Sequence, residues 1–289
     1  MRYLFGKILG VTLLWVLTLC LTSCDSSSSD PTTDPTTDST TDPASSSNSM
    51  QSVPLTLEAK TAGTIKVWGE REAMRYSKNG GAKVELPSGT VEIEVSVGDK
   101  VEFYGYWGKQ KRDLGIIPDD MLHFVFREGT ADCYIYGNIM SLYDEDKFAT
   151  DDIISMGDIN EYIFLDLFYH NDKIYNHPTK DILLPATKLA RGCYERMFSG
   201  CKNLTKAPEL PATTLALRCY KRMFSGCTSL TNAYVKAAYT SYGSECFGMF
   251  DGCTATGAVL HTTAANKGSW STAITSKGWS TWTANGDWN

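Results

Sequence analysis

The chain has 289 residues, 42% of them hydrophobic, and a formal net charge of −6. That length and apolar content suffice for one large core or two modest ones. The acidic balance argues against a nucleic-acid binder, whose recognition depends on Lys and Arg neutralising phosphates.

At the N-terminus, Arg2 and Lys7 accompany an apolar run of 14 residues, Ile8 to Leu21. The run is short for a bilayer span and suits a signal-peptide core. It ends in Leu21-Thr22-Ser23-Cys24, which resembles the lipobox of bacterial lipoproteins. The resemblance implies cleavage before Cys24 and diacylation of its thiol. Residues 1–23 are therefore expected to be a lipoprotein signal peptide and Cys24 the lipid-attachment site; the rival is an ordinary secretory peptide with an incidental cysteine. Losing Arg2 and Lys7 takes the mature charge to about −8. Asp25 follows the cysteine, and an acidic start accompanies inner-membrane retention in some bacteria and surface export in others. The expected location is the outer membrane, lipid-anchored and facing outward.

Residues 24–52 are the lipidated cysteine and a Ser/Thr/Asp/Pro tether. Almost no apolar side chain is present to offset ordering entropy. Asp30-Pro31-Thr32-Thr33 recurs as Asp34-Pro35-Thr36-Thr37, and regular prolines with repelling aspartates predict a semi-extended spacer. Asp38-Ser39-Thr40 resembles an O-glycosylation triplet of some Gram-negative bacteria; a bare solvated spacer is the alternative.

Residues 53–140 read as a small antiparallel β-domain, a sandwich by its many short strands. Val91 to Val97 alternates strictly, placing Val91, Ile93, Val95 and Val97 on one face. Gly98-Asp99-Lys100 then predicts a hairpin into Val101-Glu102-Phe103-Tyr104. Leu55–Leu57, Thr64–Trp68, Leu122–Phe126 and Cys133–Tyr136 supply further strands, and Asn79-Gly80-Gly81 a turn. Trp68, Tyr104, Tyr106 and Trp107 are candidates for a sugar-stacking platform or, more blandly, half-buried sheet residues. Asp144, Glu145, Asp146, Asp151 and Asp152 lack calcium-loop spacing and read as a solvated face.

Residues 160–260 repeat with a period of 26. Leu184-Pro185-Ala186-Thr187 returns as Leu210-Pro211-Ala212-Thr213, and Cys193-Tyr194-Glu195-Arg196-Met197-Phe198-Ser199-Gly200-Cys201 as Cys219-Tyr220-Lys221-Arg222-Met223-Phe224-Ser225-Gly226-Cys227. Cys246 to Cys253 is a worn third copy, and Leu167-Phe168 begins a degenerate first one. One such unit cannot bury its own apolar side, so units are expected to stack with like residues in ladders: Met197, Met223, Met249 and Phe198, Phe224, Phe250. Gly200, Gly226 and Gly252 fall where each short helical turn should end with positive φ. Residues 261–289 carry Trp270, Trp279, Trp282 and Trp288 and predict a Trp-rich C-terminal cap, with a carbohydrate platform as the rival.

Met197-Phe198, Cys201 and Leu204, followed by Leu210-Pro211, resemble the leucine-rich repeats of BspA-like bacterial surface proteins. Two copies match fully; the third has Cys246 one residue late and Lys236 in place of leucine. The resemblance implies a surface-exposed solenoid associated with adhesion, and no catalytic residues. The expected fold class is mixed β and α/β: a small antiparallel β-domain followed by a short leucine-rich-repeat solenoid. No cofactor or metal is expected. The seven cysteines beyond Cys20 and Cys24 can be buried thiols, disulfides or zinc ligands, the thiols fitting the spacing best. The four histidines, His123, His170, His177 and His261, form no helical zinc pair, and no nucleophile elbow or phosphate loop appears, so a hydrolase ranks third.

Two binding functions remain: a protein-binding adhesin, and a glycan-binding lipoprotein marked by a coplanar row of exposed aromatics. Because repeated positions are committed to packing, a ligand must be read by outward positions that differ between copies. Arg196, Lys221, Arg222 and Tyr234 are the candidate ligand-binding residues, forming a basic stripe for an acidic protein partner.

Overall fold

The computed structural model describes residues 50–69, 74–106, 124–154, 161–240 and 244–288. The signal peptide, Cys24, the tether up to residue 49, Trp107 and His123 lie outside the described residues.

The strands are β1 (Leu55–Ala59), β2 (Gly63–Gly69), β3 (Met74–Lys78), β4 (Val84–Glu85), β5 (Gly89–Val95), β6 (Lys100–Gly105), β7 (Phe124–Arg127), β8 (Cys133–Asn138), β9 (Ile174–Asn176), β10 (Ile182–Leu183), β11 (Lys206–Leu210), β12 (Asn232–Val235), β13 (Ala258–His261) and β14 (Trp282–Asn285). One helix, α1 (Lys267–Lys277), precedes β14. They form a seven-stranded sheet in the order β10-β8-β1-β6-β3-β4, with β9 also on β8, a three-stranded sheet β5-β2-β7, and a four-stranded sheet β11-β12-β13-β14. No helix among the described residues is long and apolar enough to cross a membrane.

The expected fold class is corrected by this arrangement. The described residues form three sheets and one α-helix, mixed in strand direction, and not an antiparallel domain followed by a leucine-rich-repeat solenoid. The reason lies at β8. Its antiparallel partner is β1, but β9 and β10, which come from the start of the repeat region, pair with it in parallel. The repeats thus begin inside the large sheet. The Met-Phe blocks, expected as short helical turns, are ribbons of successive turns instead.

The predicted hairpin is corrected as well. Gly98-Asp99 does turn the chain, with the Gly98 amide donating to the Ala59 carbonyl at 2.8 Å. But β5 pairs with β2, while β6 pairs with β1 and β3, so the turn carries the chain from one sheet to another. The Asp99 carboxylate accepts from Lys78, Asn79 and the Ser96 amide, which hold it well below the usual carboxylate range. Ile93 and Val95 are buried, whereas Val97, beyond the strand, is 69% exposed.

A single hydrophobic core runs from Leu55 to Trp282. Its spine is aromatic. Phe126 of β7 stacks on Phe168 at 4.8 Å between ring centroids; Phe168 stacks on Phe198 at 5.3 Å, Phe198 on Phe224 at 5.9 Å and Phe224 on Phe250 at 6.0 Å. Tyr194 stacks on Tyr220 beside it at 6.1 Å. Asn176 ties the large sheet to β11: its Nδ2 donates to the Lys206 carbonyl at 2.9 Å, and its Oδ1 accepts from the Thr205 and Lys206 amides. A side chain there supplies hydrogen bonds that a strand neighbour would otherwise make.

The far end of the spine is closed by tryptophans. Trp282, Trp279 and Trp270 meet Phe250 at 4.3, 5.4 and 6.4 Å, and all three are buried. Trp270, Ala273 and Ile274 line the inner face of α1, spaced by three and four residues as one helical stripe requires. Gly278 ends the helix in the left-handed region at φ 72°. The seven described cysteines are buried free thiols.

Candidate functional site

The repeat ribbons account for every second amide in an unusual way. Tyr194, Arg196, Phe198 and Gly200 donate their amides to the carbonyls of Cys219, Lys221, Met223 and Ser225 in the next copy, at 2.7–3.1 Å. The residues between them, Glu195, Met197, Ser199 and Cys201, donate back three positions within their own copy. Each ribbon is thus laced to the next along its length and folded locally at every step.

The local folding requires a left-handed residue at every fourth position. These are Tyr162, Asp166 and His170 in the first ribbon, Gly192, Arg196 and Gly200 in the second, Arg218, Arg222 and Gly226 in the third, and Gly248 and Gly252 in the fourth. Glycine suits the role. Arg196 at φ 55° and Arg222 at φ 52° do not, and each costs about 1–2 kcal/mol against the right-handed region. Tyr162, Asp166, His170 and Arg218 adopt the same conformation, so the strain belongs to the ribbon as a whole and is offset by its lacing.

Stacking sets neighbouring columns of outward residues side by side. Asp166, Arg196, Arg222 and Gly248 form one column; Leu165, Glu195, Lys221 and Phe247 form the next. Within them, the Arg196 guanidinium forks onto the Asp166 carboxylate at 2.8 and 2.5 Å, and Lys221 Nζ reaches Glu195 Oε1 at 2.9 Å. The expected basic stripe is therefore largely a ladder of opposite charges, each cation facing an acid one copy earlier. Arg222 falls outside that scheme. Among the described residues it makes no ion pair; it is exposed and packs over the Phe247 ring at 5.9 Å.

Arg196 and Arg222 overhang an open groove of about 390 Å³, lined also by Tyr169, His170, Lys202 and Asp251, with Ser199, Gly200, Ser225 and Gly226 between them. A Cβ at Gly226 would sit 3.6 Å from Gly200 Cα, so the floor is backbone on backbone. Two large side chains flank the arginines at the surface. Tyr169, 43% exposed, lies under Arg196 at 5.3 Å, and Phe247, 47% exposed, lies beside Arg222.

Of the four predicted residues, the fold brings Arg196 and Arg222 to this groove. Lys221 sits in the adjoining column, turned to Glu195. Tyr234 is on β12, where it stacks face to face on His261 at 4.4 Å and meets Trp288 edge-on at 6.1 Å. The groove residues not put forward from sequence as ligand-binding were Tyr169, His170, Ser199, Ser225 and Asp251, with Phe247 at its edge; Lys202 reads only as an outward position that differs between copies. Phe247 could have been noticed, since an aromatic stands where the earlier copies carry Glu195 and Lys221. Tyr169 lies in a copy too degenerate to align by eye.

The other candidate surfaces have their aromatic faces covered. Lys83 sits over Tyr104 at 3.8 Å, Lys180 over Tyr136 at 4.1 Å and Lys60 over Tyr175 at 3.3 Å, while Arg127 covers Trp68 and Arg75 covers Tyr106. Tyr234 and His261 cover one another. Within the acidic cluster, the Glu145 carboxylate is taken by Arg75, Lys83 and the Tyr106 hydroxyl. Comparison of the chain with protein-family models, curated proteins and solved structures finds no match.

Proposed function

We propose that this chain is a lipid-anchored surface protein that binds another protein, without catalysis, through the groove at Arg196 and Arg222. The observation that carries the reading is the surface line Tyr169, Arg196, Arg222, Phe247. Two half-exposed rings flank two arginines, one of which makes no ion pair among the described residues. Tyr and Arg are the residue types that dominate binding energy at protein interfaces. A glycan platform is less well supported, because among the described residues the exposed rings are Tyr169 and Phe247, which stand apart with an arginine against each and form no coplanar row. The anchor at Cys24 and the outward-facing outer-membrane location belong to the same proposal and rest on the lipobox resemblance.

The test is a binding array of matrix proteins, bacterial surface proteins and glycans probed with the full chain and with Arg222→Glu. A protein hit lost on charge reversal, with the melting temperature retained, supports the reading. Hits confined to glycans, or a protein hit indifferent to Arg222, would sink it.

A further inference from the structure

Resting on the reading of this groove as a protein-binding site, we infer that the partner anchors itself there by a tyrosine. Its ring lies on the bare backbone of Gly226, and its hydroxyl meets Ser199 or Ser225. The guest side chain is neutral, because the charges around the groove are largely answered within the protein. Arg196 is forked onto Asp166, Lys202 stands 4.0 Å from Asp172, and Asp251 lines the same groove as Arg222.

The ribbons treat their own glycines in a consistent way. Gly192, Gly200, Gly226, Gly248 and Gly252 hold left-handed positions, and a side chain on any of them would head toward the preceding ribbon. Over Gly192 lies the Tyr162 ring, which a Cβ there would strike. Over Gly200 lies the His170 ring, 2.9 Å from where a Cβ would be. Gly248 is covered by Arg222, whose Cγ would stand 3.1 Å from a Cβ, and by the Asp251 carboxylate. All three covered glycines are buried. Gly226 and Gly252 instead follow glycines in their column. A Cβ on either would meet only the backbone of the glycine before it, at 3.6 Å. Gly226 is accordingly half-buried and Gly252 exposed. The missing Cβ lets a flat group approach the backbone closely. On the groove floor at Gly226, a partner's ring can therefore take the position that His170 takes on Gly200.

The serines beside this floor add a polar demand. Ser199 lines the groove and is only 7% exposed, yet among the described residues its hydroxyl makes no hydrogen bond. Ser225, one ribbon on, lines the groove and is equally unpaired. A hydroxyl that deep costs stability until a partner atom completes it. The two serines immediately precede Gly200 and Gly226 in the chain, so they flank the floor. Tyrosine answers both features, with an apolar face for the peptide floor and a tip that donates and accepts. One end of the floor is itself aromatic, where His170 meets Tyr169 edge-on at 4.2 Å. Phenylalanine would leave the serines unmet, and leucine lacks the flat face. A sugar ring is the rival guest.

Saturation-transfer NMR on the purified full chain measures binding of N-acetyl-tyrosinamide, N-acetyl-phenylalaninamide, N-acetyl-leucinamide and methyl glucoside. Tyrosinamide is expected to bind best, about fivefold more tightly than phenylalaninamide, as one added hydrogen bond implies. Gly226→Asn lays a side chain on the floor, and asparagine tolerates the left-handed region, so tyrosinamide binding should weaken about tenfold. Gly257→Asn, at φ 71° with open space around it, controls for the backbone strain and should bind as the parent does. Ser199→Ala with Ser225→Ala should remove the advantage of tyrosine over phenylalanine and leave phenylalaninamide binding unchanged. Leucinamide binding as tightly as tyrosinamide overturns the ring, and parent-like binding by folded Gly226→Asn overturns the floor. If Gly226→Asn does not fold, the serine variant decides, and an undiminished tyrosine advantage overturns the inference. Tighter, Gly226-dependent binding of the glucoside overturns the tyrosine in favour of a sugar. No tyrosinamide binding, alongside an Arg222-dependent protein hit on the array, overturns this inference but not the groove's function. Failure of both removes the function itself.

Discussion

Replacing Phe224 with alanine probes the aromatic spine at its middle. The ring is fully buried and stacks on Phe198 at 5.9 Å and Phe250 at 6.0 Å. Both neighbours are fixed by the same laced ribbons, so the space left behind has little freedom to close. A truncation of this kind costs roughly 3–5 kcal/mol, combining lost burial with the cavity. For a folded unit of this size, each kcal/mol moves the melting temperature by about 2–4 °C, so a fall of roughly 6–20 °C is expected. Phe247→Ala is the matched control: the same chemistry in the fourth ribbon, but with a ring 47% exposed. It should stay within about 0.5 kcal/mol of the parent. Thermal denaturation followed by circular dichroism measures both. If the two variants melt alike, or if Phe224→Ala melts within a degree or two of the parent, the spine does not carry the stability assigned to it.

Arg222→Gly relieves a left-handed arginine, so stability should hold or rise by up to about 1 kcal/mol while ligand binding falls; a clear loss of stability in denaturant titration would make Arg222 a structural residue. Burial raises the thiols of Cys133, Cys219 and Cys253 from 9.0 to about 12. The unfolded chain therefore sheds these protons first: their contribution is intact below pH 9 and lost as pH rises from about 9 toward 12, and Cys219→Ala should flatten that decline in melting temperature. Iodoacetamide footprinting should leave all seven buried cysteines unmodified in the native chain and modify them in guanidinium; rapid native labelling of any of them would contradict their burial. Cys24→Ala should abolish lipid labelling and detergent-phase partitioning, and persistent lipidation would refute the anchor.

The match of Cys193–Cys201 to Cys219–Cys227, broken only where Glu195 becomes Lys221, was enough to say that like residues meet, because a repeat that cannot bury its apolar side alone must stack on its copy. Arg196 and Arg222 were legible for the complementary reason: outward, charged, and placed in register by that same period. The strands before the first copy were legible too, but not how they pair with one another or with the repeats. Whether a strand pairs with its sequence neighbour or with a distant one depends on which apolar faces meet in space, and periodicity is silent on that. So β5 and β6 read as a hairpin yet joined different sheets, and β9 and β10 passed from the repeats to the edge of β8. Nor could composition foretell that Asp166 and Glu195 would each neutralise a cation one copy later, leaving Arg222 as the charge to spare. Side-chain identity and spacing are written along the chain, whereas ion pairing is decided across it, by which column each ribbon brings beside the next.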